Sequence, residues 1–140
     1  YQEIDGALGN GMWSMPAYFN GNVYFGPQKN YLMQFQFSKA RLSTAPVAES
    51  PATFAYPGTT PSVSANGKTN GIVWAIEHST PAVLHAYDAT NLGNELYNSN
   101  QAPNSRDLFW YATHFGTPTI ANGKVYVGTN TGVVVFGLLP

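Results

Sequence analysis

The sequence GTPTIANGKVYVGTNTGVVVFG, from Gly116 to Gly137, decides the fold. It divides into three extended runs separated by two turns, and we predict strands at residues 117–121, 124–128 and 133–136. The first turn is Asn122-Gly123, and Asn-Gly is a preferred two-residue hairpin turn because both of its residues tolerate positive φ. The stretch therefore predicts a three-stranded antiparallel meander with a tight first hairpin and positive φ at Gly123.

Two further copies of this pattern occur earlier in the chain. MPAYFNGNVYFG, beginning at Met15, shares the proline, the Asn-Gly, the Val-Tyr and the closing glycine. TPSVSANGKTNGIVWA, beginning at Thr60, keeps the proline and the Asn-Gly and carries an insertion at Lys68 to Asn70. The three prolines lie 45 and 57 residues apart. A period of roughly 40 to 50 residues with several strands per unit is typical of β-propeller blades, and the period-two alternation excludes helical solenoids.

The predicted fold is all-β, with propeller blades made of four-stranded antiparallel sheets. We predict a single incomplete propeller segment over residues 1–140, with blade one at about 12–50, blade two at about 59–100 and blade three at about 116–140. This amounts to about two and three-quarter blades, because blade three has only three strands. The fourth strand of blade one is predicted at Arg41 to Ala45. The proline-rich segment Pro46 to Gly58 is predicted to be a connector or an edge.

In blade two, the last strand is predicted at Glu95 to Asn98, after a turn-forming cluster DATNLGN that begins at Asp88. Because blades stacked in a propeller are covered on both faces, we expect packed side chains at Val125, Val127, Val133 and Val135 and solvated side chains at Lys124 and Asn130.

Fewer than four blades do not close a ring, so two open flanks are expected. One is predicted near Trp13 and Tyr18, and the other at the edge strand formed by residues 133–136. We expect the remainder of a longer polypeptide, or other copies of the chain, to complete the propeller.

Composition excludes several classes of function. The chain is 44% hydrophobic and 14% aromatic, which is enough for a core, but only 9% of its residues are charged. Its net charge is −1, and six Lys and Arg residues cannot form the basic stripe that a nucleic acid requires. It has no cysteine, so disulfides and thiolate metal sites are excluded. No run approaches the ~20 apolar residues of a membrane span.

The pattern P-x-x-x-N-G-K-V-Y-V-G, with the runs from Leu84 to Gln101 and from Pro118 to Leu139, resembles the pyrroloquinoline-quinone-like β-propellers, in particular the C-terminal blades of predicted secreted bacterial members. The resemblance implies a secreted or periplasmic location. The family includes quinoprotein dehydrogenases and also non-enzymatic scaffolds of outer-membrane assembly. The dehydrogenases' adjacent cysteines, calcium ligands and stacking tryptophan cannot be carried over to this sequence, so no cofactor is predicted.

The densest cluster of functional residue types is Arg106-Asp107 with Trp110 and His114. In a four-stranded blade, these residues share a face with the loop that contains His78, so the predicted ligand-binding residues are Arg106, Asp107, Trp110, His114 and His78. The alternative is that Arg106 and Asp107 form a local salt bridge and the aromatic residues cover a blade. His78, His85 and His114 are expected to have structural or surface roles, and neither catalytic residues nor a metal site are predicted.

The sequence favours a non-enzymatic propeller segment that acts as a binding or structural scaffold outside the cytoplasm. One alternative is the C-terminal part of a quinone-dependent dehydrogenase whose catalytic residues lie on blades absent from this chain. Another is carbohydrate binding, because sugars stack on aromatic rings and bind neutral amides.

Overall fold

The computed structural model describes residues 1–138, and 51% of the structure is β-strand, arranged in three antiparallel sheets. Sheet one contains β1 (Ala17–Phe19), β2 (Asn22–Phe25), β3 (Asn30–Ser38), β4 (Arg41–Leu42) and β5 (Ala48–Phe54). Sheet two contains β6 (Ser62–Asn66), β7 (Thr69–Glu77), β8 (Val83–Asp88) and β9 (Asn91–Asn98). Sheet three contains β10 (Thr119–Ala121), β11 (Lys124–Gly128) and β12 (Val133–Gly137). The all-β, antiparallel prediction is confirmed, and none of these sheets closes into a barrel.

In sheets two and three, strands that are consecutive in sequence are also neighbours in the sheet. The order is β6-β7-β8-β9 in sheet two and β10-β11-β12 in sheet three. Sheet one begins β1-β2-β3, after which β4 pairs with the end of β3 and β5 pairs with its beginning. Sheets two and three are therefore up-and-down meanders, the simplest way to pair strands that short turns connect, and sheet one departs from this pattern at β5.

The helical content of residues 1–138 is limited to two 3-10 turns between sheets two and three, Ser99–Gln101 and Pro103–Ser105. The Asn98 side chain caps the first turn by accepting a hydrogen bond from the Asn100 N–H at 3.1 Å. No helix in this part of the chain has the length and apolar character needed to cross a membrane.

Two of the three Asn-Gly turns form the predicted hairpins. Asn122 and Gly123 have φ values of 51° and 70°, and Asn20 and Gly21 have φ values of 44° and 82°. Positive φ at both central residues matches the right-handed twist of the flanking strands, so each hairpin closes in two residues. In the third copy the register differs, because Asn66 still belongs to β6 and pairs with the first residue of β7.

The core consists of two apolar layers, one on each face of sheet two. The first layer joins sheets one and two and contains Tyr24, Leu32, Phe54, Val73, Ala75, Tyr87, Ala89 and Leu92. The second layer joins sheets two and three and contains Ile76, Ala82, Leu84, Phe109, Ala112, Val125 and Val127. Coverage on both faces explains why β8 has five consecutive buried residues.

A buried serine has the same role in sheets one and two. The Ser50 hydroxyl accepts a hydrogen bond from the Leu32 N–H at 2.9 Å, and the Ser99 hydroxyl accepts one from the Leu84 N–H at 3.2 Å. Leu32 lies in β3 and Leu84 in β8, the third strand of each sheet. Both serines are buried, so each hydroxyl satisfies a backbone donor that solvent does not reach. The sequence repeat therefore extends to a matching buried contact.

The fourth strand of sheet one is not where the sequence predicted it. Of Arg41 to Ala45, only Arg41 and Leu42 form a strand, and the longer β5 pairs with β3 instead. The alternative that the proline-rich segment is an edge is correct for β5, which contains Pro51. A strand at the edge of a sheet tolerates a proline because the N–H groups on its outer side have no neighbouring strand to bond, so the missing proline N–H costs no hydrogen bond.

The last strand of sheet two begins earlier than predicted. β9 starts at Asn91, inside the cluster that was predicted to be a turn, and it ends at Asn98 as expected. The Asp88 carboxylate allows the early start of β9, because it closes the turn before this strand. It accepts hydrogen bonds of 2.7 Å from both the N–H and the hydroxyl of Thr90. Such a bond shortens the turn to two residues.

The packing predicted for sheet three is correct for one face only. Val125 and Val127 are buried, but Val133 and Val135 are 64% and 49% exposed, which contradicts the prediction for those two residues. Their strand, β12, turns Val134 and Phe136 toward the second core layer and the other two valines outward. Lys124 and Asn130 are exposed as predicted. The outer face of sheet three thus presents apolar side chains at Tyr126, Val133 and Val135, with the exposed Lys124 at one end, and it is open among residues 1–138.

Candidate functional site

A cleft of about 330 Å³ opens between the β7–β8 loop, the connector that precedes sheet three and the β11–β12 turn. Its lining residues are His78, Ser79, Thr80, Tyr111, Ala112, His114 and Asn130. This set contains no Asp, Glu, Lys or Arg. The walls of the cleft therefore offer neutral hydrogen-bonding groups, two imidazoles and one phenol ring.

Backbone pairing holds the connector, residues 99–118, against both neighbouring sheets. The Ala82 N–H donates to the Phe109 carbonyl at 3.0 Å, and the Thr113 N–H donates to the Gly128 carbonyl at 3.1 Å. Phe109 is buried in the second core layer, whereas Tyr111 remains 53% exposed. Because backbone hydrogen bonds hold both ends of this wall, the cleft is preformed.

The other two walls are braced loops. In the β11–β12 turn, the Thr129 N–H donates to the Gly132 carbonyl at 2.8 Å, and the Gly132 N–H donates to the Thr129 hydroxyl at 3.0 Å. This turn presents the exposed Asn130 to the cleft. In the β7–β8 loop, the Ser79 hydroxyl donates to the Pro81 carbonyl at 2.7 Å. These local bonds fix the positions of the polar groups around the cleft.

Two histidines from distant parts of the sequence meet in the cleft. The rings of His78 and His114 lie edge to face, with centroids 5.2 Å apart. Burial lowers the pKa of His78, and the neighbouring His114 lowers it further, while a hydrogen bond to the backbone of Ala112 partly opposes them. The Nδ1 atom of His78 is buried and has no hydrogen-bond partner among residues 1–138. His78 is therefore a neutral imidazole at pH 7.

An aromatic cluster continues from the cleft toward sheet one. Tyr56 contacts Trp13, His114 and Phe115 in edge-to-face arrangements, with centroid separations of 6.2, 6.1 and 6.3 Å. Such geometry aligns the positive edge of one ring with the negative face of another. The cluster joins the segments that precede sheets one, two and three at the same end of the molecule.

Arg106 and Asp107 pair with each other. The Arg106 Nε and Nη2 atoms donate to the two Asp107 oxygens at 2.6 and 2.7 Å, and the Tyr97 hydroxyl donates to the same carboxylate. These bonds, with that from Arg106 the strongest, lower the pKa of Asp107. This is the local salt bridge that was the alternative to a ligand-binding role for these two residues.

The structure thus brings together two of the five residues predicted to bind a ligand, His78 and His114. Arg106 and Asp107 do not line the cleft, and neither does Trp110, whose side chain is 60% exposed. Tyr111 and Asn130 do line it but were not predicted. The only sequence signal for Tyr111 is its place in the aromatic run of the connector, and Asn130 resembles any other turn residue.

A third histidine occupies a different environment, which the sequence does not indicate. The Nδ1 atom of His85 is 2.6 Å from a Glu95 oxygen, and its Nε2 atom is 3.2 Å from a Glu77 oxygen. The His85 ring also stacks on Tyr87 and meets Phe54 of sheet one edge to face. The imidazole links β7, β8 and β9 and packs against sheet one, which is the structural role expected for it.

Within residues 1–138, no group of three or more His, Cys, Asp or Glu side chains is arranged to hold a metal ion. Comparison of the chain with protein-family models, with curated proteins and with solved structures gives no match. The resemblance to the quinone-type propellers therefore remains a prediction.

Proposed function

We propose that this chain is a segment of a pyrroloquinoline-quinone-like β-propeller that acts as a non-enzymatic binding or structural scaffold outside the cytoplasm. The observation that carries the proposal is the apolar outer face of sheet three. Val133 and Val135 are exposed there, and Tyr126 lies directly opposite Val135 on β11. Such a row of apolar side chains is normally covered by another sheet or by a partner.

The arrangement of the sheets supports the propeller part of the proposal. All three sheets are antiparallel and pack face to face through two apolar layers, and sheet two is covered on both sides. The matching serine contacts of sheets one and two support a common ancestry of these units. A radial stack of such sheets is the architecture of a propeller, which typically has four to eight blades.

The opposite flank of the stack is also partly open. On β1, Ala17 and Phe19 pack on the first core layer, so Tyr18 faces outward and is 63% exposed. Tyr18 pairs with Val23, and Val23 pairs with the buried Phe35 on β3. The outer face of sheet one is therefore covered at β3 and open at β1. A further sheet can pack at this edge.

The edge of sheet three also accepts a strand. Sheet two has four strands and sheet three has three, and β12 pairs only with β11 among residues 1–138. An additional strand would complete sheet three through backbone hydrogen bonds and cover its edge. The remainder of a longer polypeptide, or another copy of this chain, would supply this strand and the sheet that packs on Val133 and Val135.

Sedimentation velocity of the chain at micromolar concentrations tests the proposal. We expect association that increases with concentration, and we expect Val135→Lys to reduce it because a lysine cannot be buried between apolar sheets without a partner. Thr44→Lys adds the same charge at an exposed loop position and is the matched control. A stable 15.1 kDa monomer with cooperative unfolding would contradict the incomplete-propeller part of the proposal.

The non-enzymatic part has a separate test. Calcium and pyrroloquinoline quinone are added to the chain, and the absorbance of bound quinone and the reduction of a dye with alcohols or aldoses are measured. We expect neither signal from this chain. Dye reduction that requires the quinone would favour the dehydrogenase alternative instead.

A further inference from the structure

We propose that the cleft between His78, Tyr111 and Asn130 binds a neutral saccharide of one or two sugar units. The proposal depends on uncharged polar walls, an exposed aromatic ring and a cleft of suitable size. It does not depend on how the propeller is completed, so the two proposals can fail independently.

The charge of the cleft favours a neutral ligand. None of its lining residues is acidic or basic apart from the two histidines, and burial keeps His78 neutral at pH 7. The Arg106 and Asp107 side chains, which do not line the cleft, pair with each other. A phosphate, carboxylate or ammonium group bound here would lose hydration without gaining a counter-charge.

Tyr111 provides the stacking surface. Its side chain is 53% exposed although it lines the cleft, and the connector that holds it is bonded to sheets two and three. The C–H groups on one face of a pyranose are apolar, and they pack against the negative face of an aromatic ring. Because the backbone on either side of Tyr111 is held before a ligand arrives, binding orders less of the chain and loses less conformational entropy.

The polar groups of the cleft match the hydroxyls of a sugar, each of which both donates and accepts. The Asn130 amide and the Thr80 hydroxyl are exposed and offer donors and acceptors. The Ser79 hydroxyl donates to Pro81 and so keeps its lone pairs for an incoming donor. These groups lie on two different loops around Tyr111, so a stacked sugar would meet hydrogen-bonding partners on more than one side.

The size of the cleft limits the ligand. Its volume of about 330 Å³ lies at the small end of the range of ligand pockets, which is roughly 300–1,000 Å³. A monosaccharide or disaccharide fits such a volume. A longer glycan would extend beyond the cleft.

The test is titration of the chain with glucose, N-acetylglucosamine, maltose and cellobiose, followed by saturation-transfer NMR and calorimetry. Glucuronate and glucosamine serve as charged counterparts. We expect saturable binding of at least one neutral sugar and weaker binding of the charged ones. Tyr111→Ala should weaken binding about fivefold or more, whereas Tyr111→Phe should keep it within about twofold.

Trp110→Ala is the matched control, because it removes a neighbouring exposed aromatic ring that does not line the cleft. It should leave the affinity for the bound sugar unchanged. Asn130→Ala, on an exposed turn, should weaken binding without affecting the fold, and it decides the matter if Tyr111→Ala unfolds. Sedimentation of these variants should match that of the unsubstituted chain.

Three results would overturn the proposal. The first is the absence of saturable binding of every neutral sugar tested. The second is tighter binding of glucuronate or glucosamine than of glucose. The third is an equal loss of affinity in Trp110→Ala and Tyr111→Ala, which would place the sugar outside the cleft.

Discussion

Replacing Val127 or Val133 with alanine is expected to have very different effects, although both valines lie in sheet three. Val127 on β11 is fully buried in the second core layer, whereas Val133 on β12 is 64% exposed. The substitution removes two methyl groups, each worth about 0.8 kcal/mol on transfer from water, and a residual cavity adds to this. We therefore expect Val127→Ala to lower the free energy of unfolding by about 2–3 kcal/mol and Val133→Ala by less than about 0.5 kcal/mol.

Urea unfolding at submicromolar protein concentration, followed by circular dichroism, measures both free energies in the unassociated chain. Equal m-values for the two variants would show that the denatured state is unchanged. If Val133→Ala destabilised the dilute chain as much as Val127→Ala, the outer face of sheet three would be packed within the chain. That result would refute the stacking order on which the proposed scaffold depends.

Three further substitutions test particular contacts. Gly26→Ala should cost about 1–3 kcal/mol, because a β-carbon there would lie 2.1 Å from the Thr59 carbonyl oxygen. Gly132→Ala, where the β-carbon would meet open space, is the control in thermal melts. The pKa of His78 is lowered from its ordinary value of 6.5. As the pH falls, the imidazole therefore takes up a proton in the unfolded chain before it does so in the folded chain. The free energy of unfolding is therefore highest above pH 6.5 and declines as the pH falls toward the folded-state pKa. His78→Gln should make this decline smaller, as measured by urea titrations at pH 7 and pH 5. Gly123→Val should lower the melting temperature and cost on the order of 1 kcal/mol or more, since the φ of Gly123 is 70°, and an unchanged melting temperature would disprove this reason.

The candidate site could be predicted only in part. The sequence indicated that the loops around His78 and His114 share one end of the sheets, because the strands alternate in direction. It did not indicate that their rings would be 5.2 Å apart, since 36 residues, which include β8 and β9, separate them. The pairing of Arg106 with Asp107 was foreseeable because the two are adjacent in sequence. Tyr111 became a wall of the cleft only through the backbone pairing of the connector.

By itself, the sequence determined the all-β class, the strand periodicity and the tight turns. These features follow from local sterics, because Asn-Gly tolerates positive φ and alternating side chains point to opposite faces of a strand. Only the tertiary structure decided which of those faces is covered. Val127 and Val133 have the same side chain, yet one is buried and the other exposed, because sheet two packs on just one side of sheet three. Likewise, β5 became the edge of sheet one through its pairing with β3, a long-range contact that local propensity does not encode.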